Sequence, residues 1–545
     1  MKRRNFLSLL AAAAAPAGAQ SNDQLNFLTG LPDGRNLNEM LPNYVNGKAF
    51  ALLDQRRATV AKLNSAAEIE TRRRYIRQKL MESVGEFPPR TPLNARVTGT
   101  LDRGDHRVEK VIFESQPKFY VTANLYLPKS GQAPYPAILF PLGHEAGAKA
   151  HSAWQSVLVS LARKGFVCLA WDPIGQGERI QLWDDDFRDS KVIRSTTEHT
   201  MLGVQSILLG DALARYTIWD GIRALDYLLS RPEVDAKRIG VTGNSGGGTH
   251  TAYLAALDDR IHVAAPSCYI TSWRRLIETI GPQDAEQCLP GWLAAGLDHG
   301  DFILAFAPKP YLMLSAIRDF FSITGARETF GESRAVFERI GASDKMQMFE
   351  ADDGHGYNLQ RRLAGYRWFR KHLQGADEEP VEPEVVEASE RDLWCTPTGQ
   401  VVTSLGGETV SSLNVQRYEQ VRRRSGEASA AEILRLTGYR HQPGAVTVHP
   451  YGAVDAGGIR MEKLVYESET GIMIMRVEPE GPAERAGVML GDVLVALDAS
   501  PVRDIDDVQS CLSGERIGKP VKASIIRGGT LVELVVAVSE RPAAS

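Results

Sequence analysis

The sequence predicts an α/β protein, a sheet with helices on both faces, followed by a smaller α+β domain. Three observations carry that expectation. From about Arg96 to Gln374 short apolar runs suited to buried strands alternate with helix-like stretches, the pattern of strand–helix crossovers in a parallel sheet. Within it, Arg238-Ile-Gly-Val-Thr-Gly-Asn-Ser-Gly-Gly-Gly-Thr249 passes from an apolar strand through Gly-x-Ser-x-Gly into a small-residue helix pattern. Beyond Gln374 the acidic, proline-bearing run Gly375-Ala-Asp-Glu-Glu-Pro-Val-Glu-Pro-Glu384 reads as a surface linker to a second, smaller set of elements.

Size and charge agree. A chain of 545 residues, 43% hydrophobic and 24% charged, can bury a large core and should hold two or more domains. Its formal net charge is −4, and loss of Lys2, Arg3 and Arg4 with a cleaved leader would bring it to about −7, which argues against a nucleic-acid partner.

Taken in order, Met1-Lys-Arg-Arg-Asn-Phe-Leu-Ser-Leu-Leu, an alanine run and Ala17-Gly-Ala19 have the charged, apolar and small-residue parts of a signal peptide. Arg3-Arg4-Asn5-Phe6-Leu7 looks like a twin-arginine signal, so export to the periplasm or beyond is expected, with cleavage near Ala19. The apolar run is short for a membrane span, and no other stretch is long enough for one. Residues 20–95 read as a helical extension, in which Ser65-Ala-Ala-Glu68 is a capping box before a basic helix through Met81, with Arg72 to Arg74 on a solvated face. Alternating strands from Arg96 to Leu127 form an antiparallel entry to the sheet. Between Ile180 and Tyr216 the alternation lapses, and an insertion carrying Trp183, Asp184 to Asp186 and His199 could cap a pocket, Trp183 offering a face on which a sugar could stack. Asp298 and His299 are further candidates for the cleft. Five cysteines cannot all pair; Cys168 lies in an apolar strand, and a disulfide among Cys268, Cys288, Cys395 and Cys511 is allowed but not indicated.

The chemistry starts at Ser245. On a strand-to-helix elbow its side chain is thrust out at the carboxyl end of the sheet, Gly243 and Gly247 leave room for the turn, and the Gly246 N–H opens the next helix where an oxyanion would develop. Two later strands end in an acid and a base. Pro310-Tyr-Leu-Met-Leu-Ser-Ala-Ile-Arg-Asp319 ends in a carboxylate, and Met346-Gln-Met-Phe-Glu-Ala-Asp-Asp-Gly-His355-Gly ends in a histidine. The carboxyl ends of parallel strands share one edge, so Ser245, Asp319 and His355 can meet there. His355 would take the Ser245 proton and Asp319 would orient the imidazole. Asp352 and Asp353 are rival acids, and His299 and His250 rival bases. A second oxyanion donor is expected from Pro136-Ala-Ile-Leu-Phe-Pro-Leu-Gly-His144-Glu, through the His144 N–H. His144, Glu145 and His151 do not match His-Glu-x-x-His, no Cys-x-x-Cys occurs and no phosphate loop is present, so neither metal nor cofactor is expected.

Those residues carry a resemblance. From about Arg96 to Gln374 the chain resembles the α/β-hydrolase superfamily, and within it the acetyl xylan esterase-related bacterial hydrolases. Its bearers are Pro141-Leu-Gly143-His144, Trp171-Asp172-Pro-Ile-Gly175-Gln176-Gly177-Glu178, Gly243-Asn-Ser245-Gly-Gly247-Gly, Arg318-Asp319-Phe320 and Asp353-Gly-His355-Gly-Tyr357. Ile174 and Leu142 stand where the acetyl xylan esterases usually carry Arg and His. The resemblance implies an α/β-hydrolase sheet and a Ser-His-Asp ester hydrolase.

Past the linker, 375–391, an internal echo appears. Arg107-Val-Glu-Lys-Val-Ile-Phe-Glu-Ser115 recurs as Arg460-Met-Glu-Lys-Leu-Val-Tyr-Glu-Ser468, identical at five of nine positions, and 392–450 reads as the remnant of a second hydrolase copy. Gly471-Ile-Met-Ile-Met-Arg-Val477, Gly481-Pro-Ala-Glu-Arg-Ala-Gly487-Val, Leu490-Gly-Asp-Val-Leu-Val-Ala-Leu497 and Pro520-Val-Lys-Ala-Ser-Ile-Ile-Arg-Gly528 resemble a bacterial PDZ domain, placed at 451–541. The resemblance implies capture of a peptide or protein C-terminus at a sheet edge, with Tyr451, Gly452, Ala453 and Val454 as its carboxylate loop. Three functions are therefore open: an exported serine esterase removing acetyl or other short acyl groups from carbohydrate, a serine peptidase of prolyl-oligopeptidase type without its propeller, and a non-catalytic peptide-binding PDZ protein.

Overall fold

The computed structural model describes residues 37–281, 283–424 and, further on, 429–437, 448–456, 459–466, 472–473, 481–489, 492–502, 505–512, 516–527 and 530–539. The leader expected at 1–19 lies outside these. The chain divides into two compact units, one of residues 52–428 and one of 429–545 together with 1–51.

The larger unit is built on a nine-stranded sheet. Its strands are β1 (Arg96–Asp102), β2 (His106–Gln116), β3 (Phe119–Pro128), β4 (Tyr135–Phe140), β5 (Val167–Trp171), β6 (Val234–Asn244), β7 (Val263–Ser267), β8 (Tyr311–Ala316) and β9 (Met346–Ala351), in the order β1-β2-β3-β5-β4-β6-β7-β8-β9. β1, β2 and β3 pair antiparallel, β3 pairs antiparallel with β5, and every pairing from β5 to β9 is parallel. The expected mixed sheet with an antiparallel entry is thus present. β4, β5, β7 and β8 are almost wholly buried, which is why they read as continuous apolar runs and not as alternating ones. The crossovers are helices, among them α3 (Ser152–Arg163), α5 (Ala214–Leu229) and α6 (Gly246–Leu257), numbered after α1 (Leu37–Val60), α2 (Ala66–Val84) and with α4 (Thr196–Ile207) between them. Strand order reverses on either side of β4, and the crevice outside such a switch point is where open α/β sheets place their sites.

The helix α2 has the predicted capping box, Ser65 Oγ accepting from the Glu68 N–H while the Glu68 carboxylate accepts from the Ser65 N–H. The arginine run behind it is not the solvated face that the sequence suggested. Arg72 reaches buried Asp301 at 2.7 Å, Arg73 donates to the Ala305 carbonyl at 3.0 Å and pairs with Asp259, while Arg74 is exposed. Ile69, Ile76 and Leu80 bury one stripe of the helix, and the arginines flanking that stripe lay their stems along the protein and keep their heads on acceptors. Arg56 completes the Asp301 clamp at 2.6 Å. Burial would raise the Asp301 carboxyl, yet Arg56 and Arg72 hold it below its ordinary value. A depressed carboxylate contributes stability that is present above its unfolded pKa of about 3.9 and lost as pH falls through the folded value. The wild-type urea midpoint is therefore expected to fall more steeply below about pH 4 than that of Asp301→Asn; parallel curves would show that Asp301 does not carry the acid sensitivity.

The larger unit continues past the expected end of the catalytic domain at 374. The linker lies along the surface, with the Lys164 ammonium on the Val381 carbonyl at 2.6 Å and the Tyr366 hydroxyl on Glu382 at 2.6 Å. Residues 390–424 then fold back over β3 and the segment that follows β5. Cys395 N–H, Thr396 N–H and Thr396 Oγ all donate to Glu178, at 2.6, 2.7 and 2.6 Å, and Val410 and Leu413 join a buried cluster with Phe119, Ile174, Leu202 and Tyr216. Ile174 is accordingly a core residue. Residues up to 424 thus pack as part of the larger unit.

In the smaller unit, Val448–Ala456 and Ile459–Tyr466 form an antiparallel hairpin. Asp455 faces Arg460 there as Asp102 faces Arg107 between β1 and β2, so the echoed segments also share a pairing. Tyr451, Gly452, Ala453 and Val454 lie in this hairpin's first strand and not in a loop; cross-strand pairing to Ile459–Tyr466 is interrupted only between Pro450 and Ala453. A separate sheet runs Ile472–Met473, Val493–Leu497, Pro520–Arg527, Thr530–Ala537, with Ser500–Pro501 paired to the second of these. Leu494, Leu497, Val502, Val521, Ala523 and Ile525 form its core, and the Arg527–Asp492 ion pair at 2.7 Å closes one side.

Candidate active site

Ser245 sits between β6 and α6 with φ 59° and ψ −122°, a backbone region that side chains other than glycine's rarely occupy. Packing holds it there. The Ser245 N–H donates to the Ser267 carbonyl at 2.9 Å and its own carbonyl accepts from the Thr249 N–H at 2.9 Å. A Cβ at Gly243 or at Gly247 would run into the Pro141 carbonyl, so both glycines of the elbow are required by close approach of the β4 loop. That approach also explains the His144 loop. A Cβ on Gly143 would stand 3.3 Å from Ser245 Cβ, so Gly143-His144 passes directly beside the serine, while Gly246 is the first residue of α6, where backbone N–H groups lack intrahelical partners. The Gln176 amide nitrogen fixes this loop from below, donating to the Gly143 and Glu145 carbonyls at 2.8 and 3.0 Å.

Asp319 and His355 meet at the far side. Asp319 lies just after β8 and His355 just after β9, whose ends are in register at Ala316 and Ala351. His355 Nδ1 is 2.9 Å from Asp319 Oδ1. Burial would raise the Asp319 carboxyl, but the hydrogen bond and charge of His355 bring it below its ordinary value. Phe320 and Phe321 flank the imidazole, with ring centroids 4.3 and 6.0 Å away. The turn carrying His355 is anchored twice. Tyr357 Oη and Thr242 Oγ1 of β6 are 2.7 Å apart, and buried Arg361 donates to the Gly354 carbonyl at 3.0 Å, to Ser267 Oγ at 3.0 Å and to Cys268 Sγ at 2.6 Å. Among the described residues no hydrogen bond joins Ser245 to His355; such contacts commonly tighten only with substrate bound.

The rival residues are occupied elsewhere. Asp352 pairs with Arg318 at 3.2 Å and Asp353 with Arg361 at 3.1 Å. His299 is fully buried, stacked on Tyr269 at 4.8 Å, and burial pushes its pKa down to about 4, which places it in the core; Asp298 caps the helix His299–Phe306. His151 caps α3. Trp183 stands on a two-residue hairpin with Asp189–Ser190, its indole N–H donating to Asp185 at 2.9 Å, and makes no hydrogen bond or ring contact with Ser245, Asp319 or His355 among the described residues. All five cysteines are free.

Sequence reading missed the surroundings of the His144 ring. Its Nε2 faces Asp284 and Glu286, His199 faces the same pair, and His250 Nε2 is 2.8 Å from Glu286. Burial disfavours a charged His144, but Asp284 and Glu286 outweigh it and carry the pKa up to about 10. No local signal points to Asp284 or Glu286; they lie in a short irregular stretch, and only the fold brings them to His144 and to His199.

Comparison with known proteins adds two families. Residues 96–293 match the acetyl xylan esterase (AXE1) family and residues 458–538 the PDZ domain family. Over 313 residues, 54% of this chain and 98% of the relative, the chain is 26% identical to YtaP of Bacillus subtilis, which is named as a hydrolase. It is 31% identical over 108 residues to HhoA of Synechocystis sp., named as a serine protease, covering 18% of this chain and 27% of that one. Among solved structures, methylesterase BT1017 superposes with a TM-score of 0.52 at 23% identity, covering 71% of this chain and 81% of the other, which is a likeness of fold. No helix among the described residues is long and apolar enough to cross a membrane.

Proposed function

We propose that this chain, a carboxylic ester hydrolase with an acetyl xylan esterase-like α/β domain and a C-terminal PDZ domain, is an exported serine esterase that removes acetyl or other short acyl groups from carbohydrate. Ser245 Oγ attacks the ester carbonyl as His355 accepts its proton, and the Asp319 carboxylate keeps the imidazole oriented and stabilises its charged form. The N–H groups of His144 and Gly246 receive the developing oxyanion. Collapse of the tetrahedral intermediate expels the alcohol, protonated by His355, and water activated by the same imidazole releases the acid from the acyl-enzyme. The observation that carries this reading is the 2.9 Å Asp319–His355 hydrogen bond on the sheet edge that also holds the strained Ser245.

The test is hydrolysis of p-nitrophenyl acetate, butyrate and octanoate, acetylated xylan and a peptide anilide by the full chain, with Ser245→Ala as the blank. Serine-dependent turnover of the acetate ester, falling with acyl length, and acetate release from the polysaccharide are expected. Cleavage of the anilide alone would replace the esterase by a peptidase, and equal rates in wild type and variant would remove Ser245 from the chemistry.

A further inference from the structure

The His144 ring belongs to a cluster that the serine chemistry does not use. His144 Nε2 is 3.0 Å from Asp284 Oδ2 and 2.9 Å from Glu286 Oε1. His199 Nδ1 is 2.7 Å from the same Asp284 Oδ2 and 3.9 Å from Glu286 Oε2. One ligand-type atom from each of the four side chains lies within 4.8 Å of the others. The side chains are 16, 0, 5 and 2% exposed for His144, His199, Asp284 and Glu286, so bulk water is not the partner of these atoms.

Hydrogen positions decide what the cluster lacks. His199 Nε2 is 2.8 Å from the Ile174 carbonyl, which can only accept, so this nitrogen carries the hydrogen. His199 Nδ1 then faces a carboxylate oxygen at 2.7 Å, a contact that needs a positive charge between the two atoms, the proton of an imidazolium or a metal ion. A histidine whose outer nitrogen donates to a backbone carbonyl while its inner nitrogen faces a carboxylate has the arrangement of a metal ligand with its supporting shell. Glu286 is supported in the same way, one oxygen facing His144 and the other held by His250 Nε2 at 2.8 Å. Asp284 Oδ1 and His144 Nε2 are both buried without a well-directed hydrogen bond, so a network of protons alone leaves two polar atoms unsatisfied.

We propose that His144, His199, Asp284 and Glu286 form a binding site for a divalent cation of the zinc class. Two imidazoles and two carboxylates are a four-coordinate nitrogen and oxygen set, and neutral imidazoles leave a charge of about −2 for a divalent ion to balance. The absence of sulfur from the set disfavours soft ions, and its two nitrogens disfavour magnesium and calcium. Tetrahedral zinc with such ligands sets neighbouring donor atoms about 3.4 Å apart; the four donor atoms here lie within 4.8 Å of one another, the shortest separation being 2.7 Å, so side-chain shifts of about an ångström admit the ion. The site adjoins the elbow. A Cβ on Gly246 would stand 2.8 Å from His144 Cε1 and 2.9 Å from Glu286 Oε1, so the ion would fix the ring of the residue whose backbone passes beside Ser245. This inference goes beyond the esterase reading and does not depend on it.

The test is metal content. The full chain would be purified without chelator and analysed by inductively coupled plasma mass spectrometry, then stripped and titrated with Zn2+ against a chromophoric chelator. About one equivalent per chain is expected, with loss of binding in His199→Ala and Asp284→Asn, and affinity about 10–100-fold weaker in His250→Ala; Ser245→Ala is expected to keep its ion. A wild-type chain that neither retains nor takes up an ion overturns the proposal and leaves a cluster held by protons. Binding undiminished in both ligand variants overturns it too, since the ion then lies elsewhere. Should those variants fail to fold, Co2+ added to the stripped wild type decides by paramagnetic shifts of the His144 and His199 imidazole resonances: shifted signals support the site, unshifted ones refute it.

Discussion

Ser245→Ala is expected to lower kcat on p-nitrophenyl acetate by roughly 10⁴- to 10⁶-fold, because the attacking oxygen is lost while oxyanion donors and substrate contacts remain. The fold should be untouched, since the residue's packing contacts are made by its backbone to Ser267 and Thr249. A companion variant separates chemistry from strain. Holding a non-glycine residue at φ 59° and ψ −122° costs on the order of 1–3 kcal/mol, partly offset in a glycine variant by greater chain entropy. Ser245→Gly is therefore expected to be as inactive as the alanine variant yet more stable than wild type by about 1 kcal/mol in urea unfolding. A glycine variant no more stable than wild type would mean that the elbow is not strained, and residual activity within tenfold of wild type would mean that another group attacks.

The second large effect concerns stability. Lys149 Nζ lies 2.6 Å from Asp172 Oδ2 and 2.6 Å from Glu178 Oε1, and all three side chains are buried. Burial opposes the charged lysine, but the two carboxylates hold its pKa above the ordinary value. Lys149→Met would leave both carboxylates without a cation, at a cost of about 3–5 kcal/mol. Because Glu178 also receives the Cys395 and Thr396 N–H groups, the loss should loosen residues 390–424, seen as faster amide exchange there. The sign with pH follows from the unpaired acids. Burial without Lys149 raises their pKa, so protonation relieves them and the deficit should shrink as pH falls from about 8 to 5. A deficit below about 1 kcal/mol, or one that grows toward low pH, would show that hydrogen-bond donors alone hold these carboxylates.

The strand and helix alternation, the Ser65 capping box, the elbow at Ser245 and the placement of Asp319 and His355 just past strand ends were all determined by the sequence alone. Each is a local pattern, set by side-chain periodicity, by glycine's freedom at a turn or by a cap reaching three residues, so a short window contains its cause. The tertiary structure alone decided which groups meet. It brought His355 to Asp319 instead of to Asp352, placed Arg361 under the histidine turn, drew Arg72 and Arg73 off the solvent face onto Asp301 and the Ala305 carbonyl, folded 390–424 back onto Glu178, set Tyr451 to Val454 in a strand and gathered Asp284, Glu286 and His199 around His144. Those partners are far apart in sequence, Glu178 and Cys395 by 217 residues. An ionisable side chain carries the same residue letter whether it ends in water or against a buried partner; the choice is made by which apolar faces pack first and which charges are then left needing a counter-charge.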